Sequence, residues 1–182
     1  LSSEVNQKVV MSVTPSYVYV FDPKVDKLPP CPEVKRENII IKKHRGPLFE
    51  SFGNIFWHIT SGFSFYRWSI LDQTTGEELA YSHTSYRLWH FLFIKQLCKE
   101  GNGYFVGPDA TIPPERKKGL HPYLLWTILS SLQKEGRPLY GRVAMHNTAS
   151  IKGLEKAGFR RVGYMKRIGL TYRLCDEQGR LL

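Results

Sequence analysis

Between Tyr104 and Tyr172 the sequence switches period repeatedly, and the order of those switches constrains the fold more than any other feature. Tyr104–Ile112 reads as a strand. Pro108 interrupts it, which predicts a bulge or a missing ladder bond. Residues Pro113 to Gly119 form a loop. Pro122–Glu135 (PYLLWTILSSLQKE) is an amphipathic helix, with Pro122 suited to its first turn and Gly136 to its stop. Leu139–Met145 is a strand. Thr148–Ala157 is a second helix, opened by Asn147 and closed by Gly158. Phe159–Gly163 and Met165–Tyr172 supply the final strand or strands. Upstream, Phe63–Leu71, a turn at Asp72–Gly76 and Glu78–Arg87 make a hairpin, with Phe63, Phe65, Arg67, Ser69 and Leu71 on one face. A hairpin followed by strand, loop, helix, strand, helix and strand predicts a mixed α/β fold.

The remaining segments are less regular. Ser16–Phe21 (SYVYVF) is a short strand by its β-branched and aromatic content, and four prolines follow at 23, 29, 30 and 32. Residues 1–37 are therefore expected to be an N-terminal extension or connector, and residues 38–182 the domain. Within it, Asn38–Lys42 reads as a strand and Leu48–His58 as a helix with Leu48, Phe52, Ile55 and Phe56 on one face. Residues 88–100 fit either a helix or irregular cover. The three cysteines form no CxxC pair, and the six histidines show neither HxxxH nor HExxH spacing, so no metal site is expected. The apolar run Leu88–Ile94, broken by His90, is far short of the roughly 20 residues of a membrane span. Reduced thiols and an N-terminus unlike a signal peptide point to the cytoplasm.

Charge is distributed unevenly. Residues 1–100 carry 12 Lys and Arg against 10 Asp and Glu, whereas residues 101–182 carry 14 against 6, a net of +8. The C-terminal half is expected to meet an anion. Arg116, Lys117 and Lys118 concentrate three cations in the loop before the first helix, and Gly119 permits close backbone approach. Free N–H groups and the positive end of the helix dipole converge there, as a diphosphate requires. The segment is neither a GxxxxGK[ST] nor a GxGxxG loop, and a solvated basic turn also accounts for it. A nucleic-acid-binding module is the reading from another class, but no RRM, HTH, KH or zinc pattern accompanies Arg160-Arg161 and Lys166-Arg167.

Two motifs carry a resemblance. Arg116-Lys117-Lys118-Gly119-Leu120-His121 resembles the R/Q-x-x-G-x-G/A pyrophosphate loop of the GNAT acetyltransferase family. Asn147 to Phe159, with Ala149, Ser150, Ile151, Glu155 and Gly158, resembles that family's NxxAxxxYxxxGF region. They occur in the family's order, separated by one helix and one strand. The resemblance implies a mostly antiparallel mixed sheet with splayed central strands and flanking helices, with acetyl-CoA or another acyl-CoA as donor. The splayed strands would be Tyr104–Ile112 and Leu139–Met145. Thr111 and Ile112 would offer backbone to pantetheine, the N–H groups of residues 116–121 would hold the pyrophosphate, and Asn147 and Ser150 would flank the pantetheine arm. Plain capping by Asn147 and a surface hydroxyl at Ser150 are the alternatives. The sequence departs from the pattern twice: His121 replaces the loop's last Gly or Ala, and Leu154 occupies the place of the tyrosine that often protonates the CoA thiolate.

The implied activity is acetyl transfer from acetyl-CoA directly to the amine of a small molecule, such as an amino sugar or nucleotide-linked amino sugar. A protein or peptide amine is the alternative acceptor. A general base must take the acceptor's proton. Asp109, on the same strand and same face as Thr111, His146 at the end of the opposing strand, and His83 on the hairpin are the candidates, each with an ordinary structural reading beside it. Tyr164 is the candidate acid. Glu115 and Glu155 are expected to be solvated. Tyr66, Trp68, Tyr81, Tyr86 and Trp57 are candidates for an acceptor pocket or for plain core.

Overall fold

A computed structural model describes residues 15–45, 65–86, 103–168 and 171–182 of the 182. The helix expected over Leu48–His58 and the segment 88–100 lie outside the described residues, as does Trp57. The strands are β1 (Ser16–Phe21), β2 (Ile39–Arg45), β3 (Phe65–Asp72), β4 (Glu78–Tyr86), β5 (Tyr104–Thr111), β6 (Leu139–Ala144), β7 (Arg160–Ile168) and β8 (Thr171–Cys175). They form one sheet in the order β2-β3-β4-β5-β6-β1-β7-β8. Every neighbouring pair is antiparallel except β5 and β6. Among the described residues two α-helices, α1 (Leu120–Leu132) and α2 (Thr148–Ala157), accompany it. The mixed, mostly antiparallel α/β architecture expected from the sequence is the one observed.

Local chemistry sets these elements. The hairpin closes where Asp72 Oδ1 accepts from the N–H groups of Thr74 and Thr75, at 2.8 and 3.0 Å, and Gly76 takes φ 75°. Helix α1 presents Leu120, Leu124, Leu125, Ile128, Leu129 and Leu132 to the core, a helical-period stripe. At roughly 1.5–3 kcal/mol for each fully buried leucine or isoleucine, that stripe fixes α1 on the sheet. Helix α2 starts at Asn147, whose Oδ1 accepts from Ser150 N–H at 3.1 Å, and ends at Gly158 with φ 110°.

Of the N-terminal 37 residues the structure describes 15–37, and these join the sheet and its flank. β1 lies between β6 and β7 and is antiparallel to both, with Tyr19 and Phe21 fully buried. The consecutive burial of Val18 to Phe21 is the pattern of a strand covered on both faces. Its partners lie more than a hundred residues downstream, so no local pattern announces the pairing. The proline-rich stretch that follows is an ordered strap. Trp126 Nε1 donates to Pro29 O at 2.8 Å, and Lys35 N–H donates to Lys118 O at 2.9 Å. The strap thus runs from α1 onto the basic loop.

The sheet opens at its centre. β4 and β5 pair as Thr84 with Val106 and then Ser82 with Asp109, so Gly107 and Pro108 oppose His83 alone. This is the bulge that Pro108 predicted. The Pro108 carbonyl can only accept, so His83 Nδ1–H donates to it, at 2.9 Å. The parallel pairing of β5 and β6 ends at Val106 with Gly141. Beyond it, β5 follows β4 as far as Thr111 with Ala80, and β6 follows β1 as far as Ala144 with Ser16. The two strands diverge, and α2 packs behind the gap: a Cβ on Gly141 would lie 3.2 Å from Leu154 Cδ2.

Candidate functional site

A cleft of about 950 Å³ opens beyond the divergence. The end of β5, the basic loop, one face of α2 and part of the strap line it. Ten of the residues singled out from the sequence meet there: Asp109, Thr111, Arg116, Lys117, Lys118, Gly119, Leu120, His121, Asn147 and Ser150.

The loop's shape follows from its backbone. Lys117 and Gly119 both adopt positive φ, 66° and 83°. Gly119 is the N-cap of α1, whose first-turn N–H groups have no helical carbonyl to bond. A Cβ on Gly119 would overlap the Glu33 carbonyl oxygen of the strap, so conformation and space both demand glycine. Leu120 is 1% exposed, so its side chain belongs to the core and its backbone faces the cleft.

The three loop cations are not equivalent. Lys118 Nζ is 2.8 Å from Glu115 Oε1, and Arg116 Nε donates to Thr111 O at 3.2 Å. Glu115 is buried rather than solvated. Lys118 engages one carboxylate oxygen, and Arg36 Nε stands 3.6 Å from the other. Two cations make that burial tolerable. Arg36 also binds Asp72, tying strap, loop and hairpin turn together. The Thr75 and Thr74 N–H groups, aided by Arg36, hold the Asp72 carboxyl below the usual carboxylate range.

His121 has a defined place. Its Nε2 meets Asp109 Oδ2, and its ring lies against Gly153 of α2, where a Cβ would overlap it. The histidine that stands where the sequence pattern has Gly or Ala is thus accommodated by a glycine on the facing helix. On α2, Asn147 caps through Oδ1, which leaves its amide Nδ2 as the group it can present. Leu154 is 6% exposed and packs in the main core. Glu155 is exposed, as expected, and also accepts from Tyr19 Oη at 3.0 Å, which fastens α2 to β1. Burial, then that hydrogen bond, pushes the Tyr19 hydroxyl up to about 12.

Three expected site residues are elsewhere. Ile112 gives its N–H to Leu79 O at 3.0 Å and packs against the core, so its backbone donor belongs to the sheet. His146 is an exposed turn residue that does not line the cleft; its carbonyl accepts from Thr148 N–H. Tyr164 sits on β7 opposite Tyr17, with its hydroxyl beside Gly179. Because β1 stands between β6 and β7, Tyr164 is a strand further from the cleft than the sequence order suggests. The hairpin aromatics do not line the cleft. Trp68 is buried with Nε1 donating to Thr84 Oγ1 at 3.0 Å, and Tyr81 lies under the Arg67 guanidinium at 4.0 Å.

No protein-family model and no curated protein matches the sequence. Solved structures do match the fold. A GCN5-related N-acetyltransferase from Sphaerobacter thermophilus superposes with a TM-score of 0.56 at 16% identity, over 81% of this chain and 48% of that one. A tandem GNAT protein from the clavulanic acid biosynthesis pathway gives 0.54 at 14%, over 81% and 50%. A GNAT-family acetyltransferase from Colwellia psychrerythraea gives 0.51 at 13%, over 81% and 53%. The chain has the GNAT fold. It spans about half the length of these three structures.

In the GNAT fold of this chain the divergence of β5 and β6, the basic loop and the Asn-capped helix all face one cleft. The sequence left the second half of that cleft unassigned: Lys152 and Lys156 stood out as cations beyond the need of a diphosphate, but without a place. Ala149, Lys152, Gly153 and Lys156 share one face of α2 and line it. Their helical spacing was visible; the direction of the face was not. Lys35 and Glu33 of the strap also line it, and no motif marks them. Among the described residues there is no cluster of three or more His, Cys, Asp or Glu able to hold a metal, and no helix long and apolar enough to cross a membrane.

Proposed function

We propose that the chain is an acyl-CoA-dependent N-acetyltransferase that moves an acetyl group from acetyl-CoA directly to a small-molecule amine. The observation that carries this reading is the divergence of β5 from β6 immediately after the Pro108 bulge, with the cation-lined cleft beyond it. The residues present suit a long anionic thioester. The α1 N-terminus, Arg116 and Lys117 offer donors to a pyrophosphate, and the unpaired edge of β5 at Asp109–Thr111 offers strand-like backbone to an amide-bearing arm. When bound, acetyl-CoA supplies the activated carbonyl.

The chain's own groups then act on the acceptor. The amine nitrogen forms the new C–N bond as the C–S bond breaks. Backbone N–H groups at the bulged strand would hold the oxygen on which charge develops. Asp109, coupled to His121, takes the proton lost from the amine, directly or through water. Leu154, where the family often has a tyrosine, is core and donates nothing, so solvent would supply the proton to a departing thiolate. This assigns the base to a pair in place of His146 and gives no role to Tyr164 as acid; neither residue is among those that line the cleft. Amino sugars, free or nucleotide-linked, are the acceptors to try first.

The test is thiol release from acetyl-CoA over a panel of small amines, amino sugars and peptide N-termini. Release dependent on a small amine supports the reading. Release with peptides alone would move the acceptor to the protein class, and saturable acetyl-CoA binding with no release for any amine would refute catalysis.

A further inference from the structure

The basic residues beyond the loop sort into two groups. Arg160 pairs with Asp26 and Arg161 with Glu177, so both serve the surface. Lys152 and Lys156 have no such partner among the described residues, and both are exposed and line the cleft. They stand one helical turn apart on the same face of α2. Like charges at that spacing destabilise a helix. Lys35 of the strap, Arg116 and Lys117 line the same cleft. Once Lys118 is matched with Glu115, and Asp109 with His121, these five cations face Glu33 alone. A diphosphate bridge carries about two negative charges and satisfies Arg116 and Lys117 at the α1 N-terminus, while a phosphomonoester, with its second pKa near 6, carries nearly two more. The cleft holds cation density for both.

We propose that Lys152 and Lys156, with Lys35, form a seat for a phosphomonoester lying next to the diphosphate, namely the 3′-phosphate on the ribose of coenzyme A. This rests on the acetyl-CoA reading above and extends it: the chain distinguishes coenzyme A from its 3′-dephospho form. The α2 wall selects the nucleotide end of the donor, and the loop wall holds its centre. Each lysine ammonium donates charge-assisted hydrogen bonds to the phosphate oxygens, and the like-charge strain along α2 is relieved on binding.

The experiment is calorimetric titration of the chain with acetyl-CoA and with 3′-dephospho-acetyl-CoA at one ionic strength, for the wild type, Lys152→Ala, Lys156→Ala and the double variant. Thermal melts check that the exposed substitutions leave the fold intact. The wild type should bind the dephospho form roughly tenfold or more weakly, as expected for losing charge-assisted hydrogen bonds. The double variant should lose most of the discrimination, with Lys35 alone left to the phosphate, and each single variant should lie between. Equal wild-type affinities, or undiminished discrimination in the double variant, would overturn the seat while leaving the acetyl-CoA reading standing. Saturable binding of neither form would overturn that reading itself.

Discussion

The two walls of the cleft are built on opposite principles. The loop wall is held by polar links: Arg36 joins Asp72 to Glu115, Glu115 holds Lys118, and Lys35 donates its N–H to Lys118 O. The α2 wall is held mainly by packing, with Leu154 and Ala157 in the core and the His121 ring against Gly153, beside the one hydrogen bond from Tyr19 to Glu155. The loop therefore spends part of its cation density on its own support, whereas α2 keeps its lysines for the cleft. A conspicuous cluster of charges in a sequence is not the same as a cluster available to a ligand; a plainer pair on a well-packed helix can be the freer one.

This contrast can be broken from the helix side first. Leu154→Ala should remove about 2–5 kcal/mol of stability, the range for deleting a buried leucine side chain. Denaturant melts should show it with little dependence on pH, while turnover per folded molecule changes little. A selective loss of turnover with unchanged stability would contradict Leu154 as core. Next, Gly153→Ala gains about 1 kcal/mol of helix propensity but drives a methyl into the His121 ring, where overpacking typically costs about 1–3 kcal/mol. The variant should be less stable than the wild type, and adding His121→Ala should restore it. No coupling in that double-mutant cycle would contradict the contact. The loop side should give a smaller, pH-dependent effect. Asp72 is held below its ordinary pKa of about 3.9. Its contribution is therefore complete above that value and is lost as pH falls through the lower folded value. Asp72→Asn should lower stability modestly at neutral pH, where the charge contributes in full, converge with the wild type at acid pH, and so flatten the acid limb of the stability profile. An unaltered acid limb would remove Asp72 from the loop's support.

Much of the fold was legible because its signals are local. Pro108 marked the bulge, Asn147 and Gly158 bracketed α2, and the α1 stripe had a helical period. Ser16–Phe21 was legible as a strand but not as a central one, since its partners are long-range. The same pairing moved Tyr164 out of reach. In the site, the backbone demands at Gly119 could be read, but the pairings that decide availability could not. Glu115 with Lys118, His121 with Asp109, and the room at Gly153 arise where strap, loop and helix converge. Ile112 illustrates the limit: adjacent to Thr111 in sequence, it turns its N–H into the sheet.

The central claim is that the cleft seats acetyl-CoA with its diphosphate on the loop and the α1 N-terminus. Titration calorimetry with acetyl-CoA on wild type and Arg116→Glu, with excess DNA as competitor, tests it most directly. The account predicts saturable binding at one site per chain, insensitive to the DNA, and a loss on the order of a hundredfold or more for Arg116→Glu, since a cation at the diphosphate becomes an anion. The melting temperature should be unchanged, because Arg116 is exposed. Undiminished affinity in the variant, or binding that DNA displaces, would contradict it.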